Sequence, residues 1–456
     1  MNVRTVLKIC RHFSTRAAAH LQPKVAIVGS GPAGLYACSR LLQNLPKCSV
    51  DVFDRNQVPY GLVYYGVAPD HYDMKKCTNQ FERMFTENSD RLSLFCNVII
   101  GQNLRYQELC KLYDAVILAY GANKPRSLNL RDENAINCFS GSDFVSWYNG
   151  QPKNSGAPLL DLEHAVVLGN GNVAIDCSRI LLSPVDKLAQ TDVPEYALRE
   201  LRQSIIRNVR ILGRRGPIEA SFTIKELREL LNLEGCSNHC IIPEETISKM
   251  KEVSNVADRP KKRILELMMN FTVPKHPGHE RQCSIEFFKV IESIQTNSKG
   301  RVESIKVRDR QTNELIEVPC DLLIYAIGFE NILLEGVPRK DNRLLMDDWC
   351  RVHSENDEAS VYATGWCAHD ARGVIAESQQ QAVAVVDELV KDWNKGQIKP
   401  RECQGAKELL DKREVPYITW DEWKYVDECE RRMGALLGKP REKIADVQSL
   451  LRIRNN

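Results

Sequence analysis

Two short runs in this chain have residue types and spacings that can do chemistry. The first is Gly29-Ser30-Gly31-Pro32-Ala33-Gly34, with Asp54 twenty residues beyond Gly34. The second is Gly169-Asn170-Gly171-Asn172-Val173-Ala174, with Gly213-Arg214-Arg215 farther on. In each, the first glycine permits a sharp turn and the second lets a pyrophosphate approach the backbone. A small third residue lets the next helix pack closely. That helix start offers free N–H groups and a positive dipole end to phosphate. The chemistry is the binding of two adenine dinucleotides. Asp54 can accept from both hydroxyls of a ribose. Arg214 and Arg215 suit a ribose 2′-phosphate, which an acid would repel, so the second run is expected to prefer NADP to NAD.

The elements around these runs must position them. Val25-Ala26-Ile27-Val28 reads as a strand, residues 35–45 as a helix, and residues 49–53 as a second strand ending at Asp54. Residues 59–71 are dense in Gly, Pro and aromatics and read as a shaped loop. A helix over 75–88 and strands over 94–100 and 115–119 complete the first sheet. Residues 126–158 are polar and turn-rich, and are expected to cross into another unit. There Ala165-Val166-Val167-Leu168 repeats the opening motif, with a helix to residue 182 and a strand over 209–212. Helices are expected over 223–231 and 259–270, and strands over 285–291, 301–307 and 322–326. Residues 360–366, Gly373-Val374-Ile375 and a helix over 377–389 then give a strand, a glycine turn and a late helix. That arrangement completes the first domain from the far end of the chain. A last amphipathic helix is expected over 420–437. The fold class is α/β, with two dinucleotide-binding (Rossmann-like) domains, the NADP domain inserted into the first.

The composition is that of a soluble globular chain, and 456 residues are comfortable for two domains. A formal net charge of +2 gives no sign of nucleic acid as a partner. No apolar run approaches the length that spans a bilayer, so membrane contact is expected to be peripheral at most. Residues 1–24 carry Arg4, Lys8, Arg11, Arg16 and Lys24 and no acid, which is the composition of a mitochondrial transit peptide. The sixteen cysteines are scattered, form no Cys-x-x-Cys, and offer no zinc ligand set. They are expected to be free thiols, and their spacing argues against a flavoprotein that works through its own dithiol.

Taken together, these stretches resemble the mitochondrial adrenodoxin reductases, the adrenodoxin-type ferredoxin–NADP reductases. The resemblance covers nearly the whole chain after residue 24. Its most specific parts are Gly213-Arg214-Arg215-Gly216-Pro217 and Phe222-Thr223-Ile224-Lys225-Glu226-Leu227-Arg228-Glu229. It implies hydride transfer from NADPH to FAD and single-electron transfer onward to a small acidic two-iron two-sulfur ferredoxin, by a monomer on the matrix side of the mitochondrion. By the resemblance, Gly29, Gly31, Ala33 and Gly34 contact the FAD pyrophosphate, and Asp54 its adenosine ribose. Leu62, Ile100, Trp366, Gly373, Val374 and Ile375 line the rest of the FAD site. Asn170, Gly171, Asn172 and Val173 hold the NADP pyrophosphate, Arg214 and Arg215 the 2′-phosphate, and Glu226 and Gly373 also lie near NADP. Glu226 has a rival reading as an exposed helix acid. His71 and Asp176 match polar positions near the flavin that relay protons or position water. Arg259, Lys261, Lys262 and Arg263 match the stretch that meets the ferredoxin.

The chain departs from the family at several places. Tyr64 stands where Arg is usual, and Tyr72-Asp73 where Pro-Glu is usual. Cys367-Ala368-His369-Asp370-Ala371-Arg372 replaces a basic turn containing Gly-Pro, and Ala376-Glu377-Ser378 replaces a Thr-rich segment. A carboxylate at Glu377 would disfavour an anionic reduced flavin. The alternatives are a nucleotide-binding paralogue with little turnover and a flavoprotein with a changed electron acceptor. The expected boundaries are 1–24 for the transit peptide, 25–122 and 325–456 for the FAD domain, and 123–324 for the NADP domain.

Overall fold

A computed structural model of the protein describes residues 22–122, 124–152, 156–274, 276–353, 358–369, 371 and 373–453. Most of the expected transit peptide therefore lies outside the described residues. Lys24, counted with it, is instead the first residue of a strand, and its backbone N–H donates to Asp114 at 2.8 Å.

Strands β1 (Lys24–Val28), β2 (Ser49–Asp54), β3 (Leu92–Cys96) and β4 (Ala115–Leu118) lie parallel, with helix α1 (Pro32–Asn44) crossing from β1 to β2. Val25, Ala26 and Ile27 are all buried, because both faces of a parallel sheet are covered. The strand expected over 94–100 ends early, at Cys96; Ile100 makes only an isolated bridge to Leu104.

The chain then crosses to a second sheet. Its strands are β5 (Cys138–Ser140), β6 (His164–Leu168), β7 (Asn208–Leu212), β8 (Cys236–Ile241) and β9 (Arg281–Glu286), with helices α2 (Asn172–Leu182), α3 (Ile224–Leu231) and α4 (Arg259–Met269) between them. An antiparallel ribbon follows, β10 (Lys289–Thr296), β11 (Val302–Asp309) and β12 (Leu315–Pro319), and β13 (Leu322–Tyr325) returns to the sheet. The sheet order is β5-β13-β6-β7-β9-β8.

Two expectations fail here. The polar stretch 126–158 is not only a crossing. It holds β5 and the helix Gly141–Tyr148, capped by the Ser140 hydroxyl accepting from the Asp143 N–H at 3.0 Å, with Phe144 and Tyr148 fully buried. The single strand expected over 285–291 is two strands, because Phe288 takes a positive φ of 60° and turns the chain between them.

Tyr325 pairs with Leu168, so β13 runs one residue past the boundary expected at 324. The outward and return crossings lie side by side, Lys124–Pro125 pairing antiparallel with Phe329–Glu330. Strand β14 (Ser360–Ala363) then adds to the free edge of β4, in parallel, giving the order β14-β4-β1-β2-β3. Helix α5 (Ile375–Asn394), longer than expected, packs on α1, where Arg40 Nε meets Asp387 at 2.7 Å. Helix α6 (Trp420–Leu436) follows.

A Cβ on Gly34 would be driven into the Gly29 carbonyl oxygen, whereas one on Gly31 would meet nothing within 4 Å. Gly34→Ala is therefore expected to cost about 1–3 kcal/mol or more in urea unfolding. Gly31→Ala is expected to stay within about 0.5 kcal/mol of the parent.

Candidate functional site

The first cradle forms where β1 turns into α1. Gly29 has φ +112°, and a side chain there would strike the Ala119 carbonyl beyond β4. Pro32 at the first helical position has no N–H, and by position the Ala33 and Gly34 amides have no intrahelical partner. The open space at Gly31 and these amides fit the pyrophosphate of FAD. Asp54 is buried and differs in part from expectation. Its carboxylate accepts from the Ser30 N–H at 2.7 Å, the Ser30 hydroxyl at 2.6 Å and the Asn56 N–H at 2.8 Å. A carboxylate has about four acceptor positions. The chain's own loop takes three, so a grip on two ribose hydroxyls would displace a Ser30 bond.

Two glycine turns close on this cradle. Gly61, at φ +52°, approaches the Gly31 Cα, and the Tyr60 N–H donates to the Ser30 carbonyl at 3.0 Å. Gly365, at φ +68°, leaves no room for a side chain against Ala33. Leu62 is 47% and Val374 44% exposed, so an apolar rim stands beside the cradle, as a flavin site requires. Trp366 is half-buried, with its ring 6.1 Å from that of Phe329. Gly373 and Val374 lead into α5, whose first residue is Ile375, and the Glu377 side chain folds back over Gly373. Ile100 is buried in the core of the first sheet.

The second cradle repeats the geometry. Gly169 has φ +132°, and a side chain there would strike the Ala326 carbonyl beyond β13. The nearest atom to a Cβ on Gly171 would be the Ser221 hydroxyl, at 3.4 Å. Ala174, in the third position, is fully buried. The Asn170 carbonyl accepts from the Ser221 N–H and hydroxyl, both at 2.9 Å, and its side chain covers Gly213. Asn172 accepts from the Thr223 N–H at 2.8 Å, tying the starts of α2 and α3 together. Val173, beside it on the first turn of α2, is half-buried and meets Gly141.

Arg214 and Arg215 follow β7, exposed, and neither guanidinium has a hydrogen bond or ion pair among the described residues. Glu226 is not the exposed acid of its rival reading. It is 5% exposed, and its Oε2, like the Asn170 Oδ1, is buried with no partner. Two orphaned acceptors, Asn170 against the arginine turn and Glu226 on α3, together with two guanidiniums unpaired among the described residues fit a phosphorylated dinucleotide, which brings hydroxyls and a 2′-phosphate.

Between the cradles the structure brings His71 and Asp176 into one network, centred on the buried His71 and Arg179, with three residues that sequence reasoning gave no role. Arg179, one turn along α2 from Asp176, meets Asp176 at 2.9 Å and Asp70 through a two-point pair. His71 Nε2 lies 2.6 Å from Glu229 of α3 and 3.1 Å from Arg179. Burial would raise the Asp70 carboxyl, but the hydrogen bonds and charge of Arg179 hold it below the usual range. Burial raises the Asp176 carboxyl even against Arg179. The network can hold a proton on Asp176 while Asp70 stays charged. The i,i+3 spacing of Asp176 and Arg179 was a signal available in sequence. The His71–Glu229 contact spans two units and left none.

On α4, Arg259, Lys262 and Arg263 are exposed as expected. Lys261 is not. It is half-buried, its ammonium 3.4 Å from the Ala220 carbonyl, and burial lowers its pKa.

Arg179→Met is expected to lose about 1–3 kcal/mol, because the half-buried Asp176 and the partly exposed Asp70 both lose a buried partner. Both carboxyls would then rise above their unfolded values. A carboxyl raised in the folded state contributes stability that is present at low pH and lost as pH climbs through its folded pKa. Urea unfolding should therefore show a larger deficit at about pH 8 than at about pH 5.

Comparison with known proteins agrees with this geometry. Residues 23–209 match the pyridine nucleotide-disulphide oxidoreductase family. The chain is 34% identical to the mitochondrial NADPH:adrenodoxin oxidoreductase of Bos taurus, over 99% of this chain and 95% of that one. It is 34% identical to the NADPH-ferredoxin reductase FprA of Mycobacterium leprae, over 94% and 98% respectively. A solved structure of Mycobacterium tuberculosis FprA in complex with NADPH is 33% identical and superposes with a TM-score of 0.87, over 95% of this chain and 100% of that one. Two cradles of opposite charge, a shared interior network and this similarity along nearly the whole chain place it in the adrenodoxin-type NADPH:ferredoxin oxidoreductase family of FAD- and NADP-dependent enzymes.

Proposed function

We propose that this enzyme carries electrons from NADPH through FAD to a small acidic two-iron two-sulfur ferredoxin in the mitochondrial matrix. The observation that carries the reading is the contrast at the two strand tips. Asp54 ends β2 with three bonds to its own loop, and Arg214 and Arg215 follow β7 without a side-chain partner among the described residues. One site suits a resident dinucleotide and the other an exchanging one with a 2′-phosphate.

FAD, when bound, accepts two electrons as hydride and releases them singly. The protein's own residues do the rest. Gly31, Ala33 and Gly34 offer the backbone to its pyrophosphate, with Asp54 holding the loop beside its ribose. Leu62, Ile100, Trp366, Gly373, Val374 and Ile375 shape the remaining wall. Asn170, Gly171, Asn172 and Val173 hold the NADP pyrophosphate, and Glu226 accepts from NADP through its unpartnered oxygen. His71 and Asp176 hold and pass protons, with Arg179 and Glu229 fixing their positions. Residues 25–122 and 325–456 form the FAD unit and 123–324 the NADP unit. Arg259, Lys262 and Arg263 present charge to the ferredoxin, with Lys261 behind them, so docking weakens as salt rises. The acid-free, basic composition of residues 1–24 supports the matrix location.

A second reading, a paralogue of low turnover or changed acceptor, is favoured by one observation. Glu377 places a carboxylate over Gly373, where the family has Thr.

Anaerobic NADPH added to the purified yellow protein should bleach the flavin band, and a two-iron ferredoxin should restore it. A flavin that NADPH leaves oxidised would remove the first reading and leave the second. The double change Arg214→Ala, Arg215→Ala should weaken NADPH binding by about 10²-fold or more, with NADH binding unchanged, since two charge-assisted contacts of roughly 1.5–3 kcal/mol each are lost. Equal losses for both nucleotides would refute the 2′-phosphate assignment.

A further inference from the structure

We propose that residues 438–444 form a strap that fixes the angle between the two nucleotide units, with Lys443 as a positioning residue for electron transfer from nicotinamide to flavin. The inference rests on the two-cradle reading above.

The strap is fastened on three sides. Beneath it is α6. A side chain on Gly434 would strike the backbone of Arg441, at 2.5 Å from its N and Cα, so the strap lies directly on the helix. The Lys439 N–H donates to the Gly434 carbonyl at 3.0 Å, the Glu442 N–H to the Glu430 carbonyl at 2.9 Å, and the Ile444 N–H to the Glu430 carboxylate at 2.9 Å.

From the first unit comes Tyr64, which stands where the family usually has Arg. Its carbonyl accepts from the Lys443 ammonium at 3.0 Å, and its hydroxyl from Arg441 at 3.2 Å while donating to Glu430. The Tyr64 ring lies 4.8 Å from the Lys443 ammonium and 5.3 Å from the Arg441 guanidinium, within cation–π range of both.

From the second unit comes the segment after α2. Lys443 pairs with Asp192 at 3.2 Å, and Lys75 of the first unit reaches the same carboxylate at 2.8 Å. The Lys439 ammonium donates to the Val193 carbonyl at 2.7 Å and pairs with Glu442. Glu442 in turn accepts from the Glu195 N–H at 3.0 Å. Gly150 lets the Lys443 stem pass at 3.1 Å from where a Cβ would stand.

The Lys439 and Lys443 side chains are each only 1% exposed. Ammonium groups so far from water hold only while every partner is in place. The strap is therefore either seated on both units or released from them. None of its residues belongs to either cradle. The two covalent crossings pair through only two residues each, Lys124–Pro125 with Phe329–Glu330, and form a narrow ribbon. The network of Asp70 and His71 with Arg179 and Glu229 ties the units at the site of chemistry itself. The strap is a tie that holds the angle without touching the reactants, joined at Asp192 by Lys75 of the first unit, and small errors in that angle matter because transfer needs close, aligned approach.

In the flavin-loaded full-length protein, K443M and K443R are compared with the parent in three measurements. These are 2′,5′-ADP binding by calorimetry, hydrogen exchange over residues 192–195, and the rate of flavin reduction at saturating NADPH. K443M should keep its 2′,5′-ADP affinity, expose the Glu195 amide to faster exchange, and reduce its flavin about 10²-fold more slowly. K443R should recover most of the rate. Parental reduction by K443M, or loss of 2′,5′-ADP binding in step with the rate, overturns the proposal. If K443M does not fold, E442A, which removes the acceptor of the Glu195 amide, is judged by the same measurements and outcomes. A parent protein that purifies without flavin defeats the two-cradle reading instead, and hydrogen exchange in K443M then decides the strap alone.

Discussion

No side chain fits where β1 turns into α1 or where β6 turns into α2. At Gly29 the space is taken by the Ala119 carbonyl, and at Gly169 by the Ala326 carbonyl. Each of those carbonyls belongs to the residue just beyond the neighbouring parallel strand, β4 in one unit and β13 in the other. The same close approach therefore sets both cradles. In the first it also sets what lies above, because β4 carries β14, and the turn after β14 brings Gly365 against Ala33. Gly365, with Trp366 after it, thus stands against a floor formed by residues 29–34, through one shared strand edge.

The two cradles share a backbone and differ in electrostatics. At Asp54 the negative charge is spent on the protein's own loop, through the Ser30 and Asn56 donors. That ties the floor to the strand tip before any ribose arrives. At Arg214 and Arg215 the positive charge is left in solvent, with backbone bonds from Gly213 to Glu286, from Lys289 to Gly213 and from Phe288 to Arg215 fixing the turn. Free guanidiniums attract an anion from a distance and release it at little cost in rearrangement. A permanent ligand and a visiting one are distinguished by where the counter-charge already sits.

Much of this was readable from residue order. The glycine runs, the strands leading into them and the arginine pair are local patterns, and local patterns fix local backbone. Helices α2 and α3 fall within a residue or so of expectation for the same reason. What escaped depended on distant partners. The helix Gly141–Tyr148 hides four core residues, Phe144, Val145, Trp147 and Tyr148, in a polar stretch, and only its burial against the second sheet reveals it. Glu226 had a rival reading as an exposed helix acid, which only its burial in the folded chain removes. Glu229 stood inside a recognisable run, yet its contact with His71 crosses from one unit to the other. Lys261 sits in a basic cluster that reads as uniform, while one turn of helix carries it inward to Ala220.

The pairing of β4 with β14 has a consequence for synthesis. The partner edge of Ala115 is Ser360, and the whole second sheet lies between them in the chain. A ribosome adding roughly 5–20 residues per second leaves β4 without that neighbour for on the order of tens of seconds. For that interval the nascent first unit has an open strand edge and an unroofed glycine turn, while the inserted unit already has all its strands. The inserted unit can therefore fold as it emerges, and the first unit must stay unfinished until the end of the chain closes it. An apolar edge held open that long is a site where chaperones would act and where neighbouring chains would aggregate.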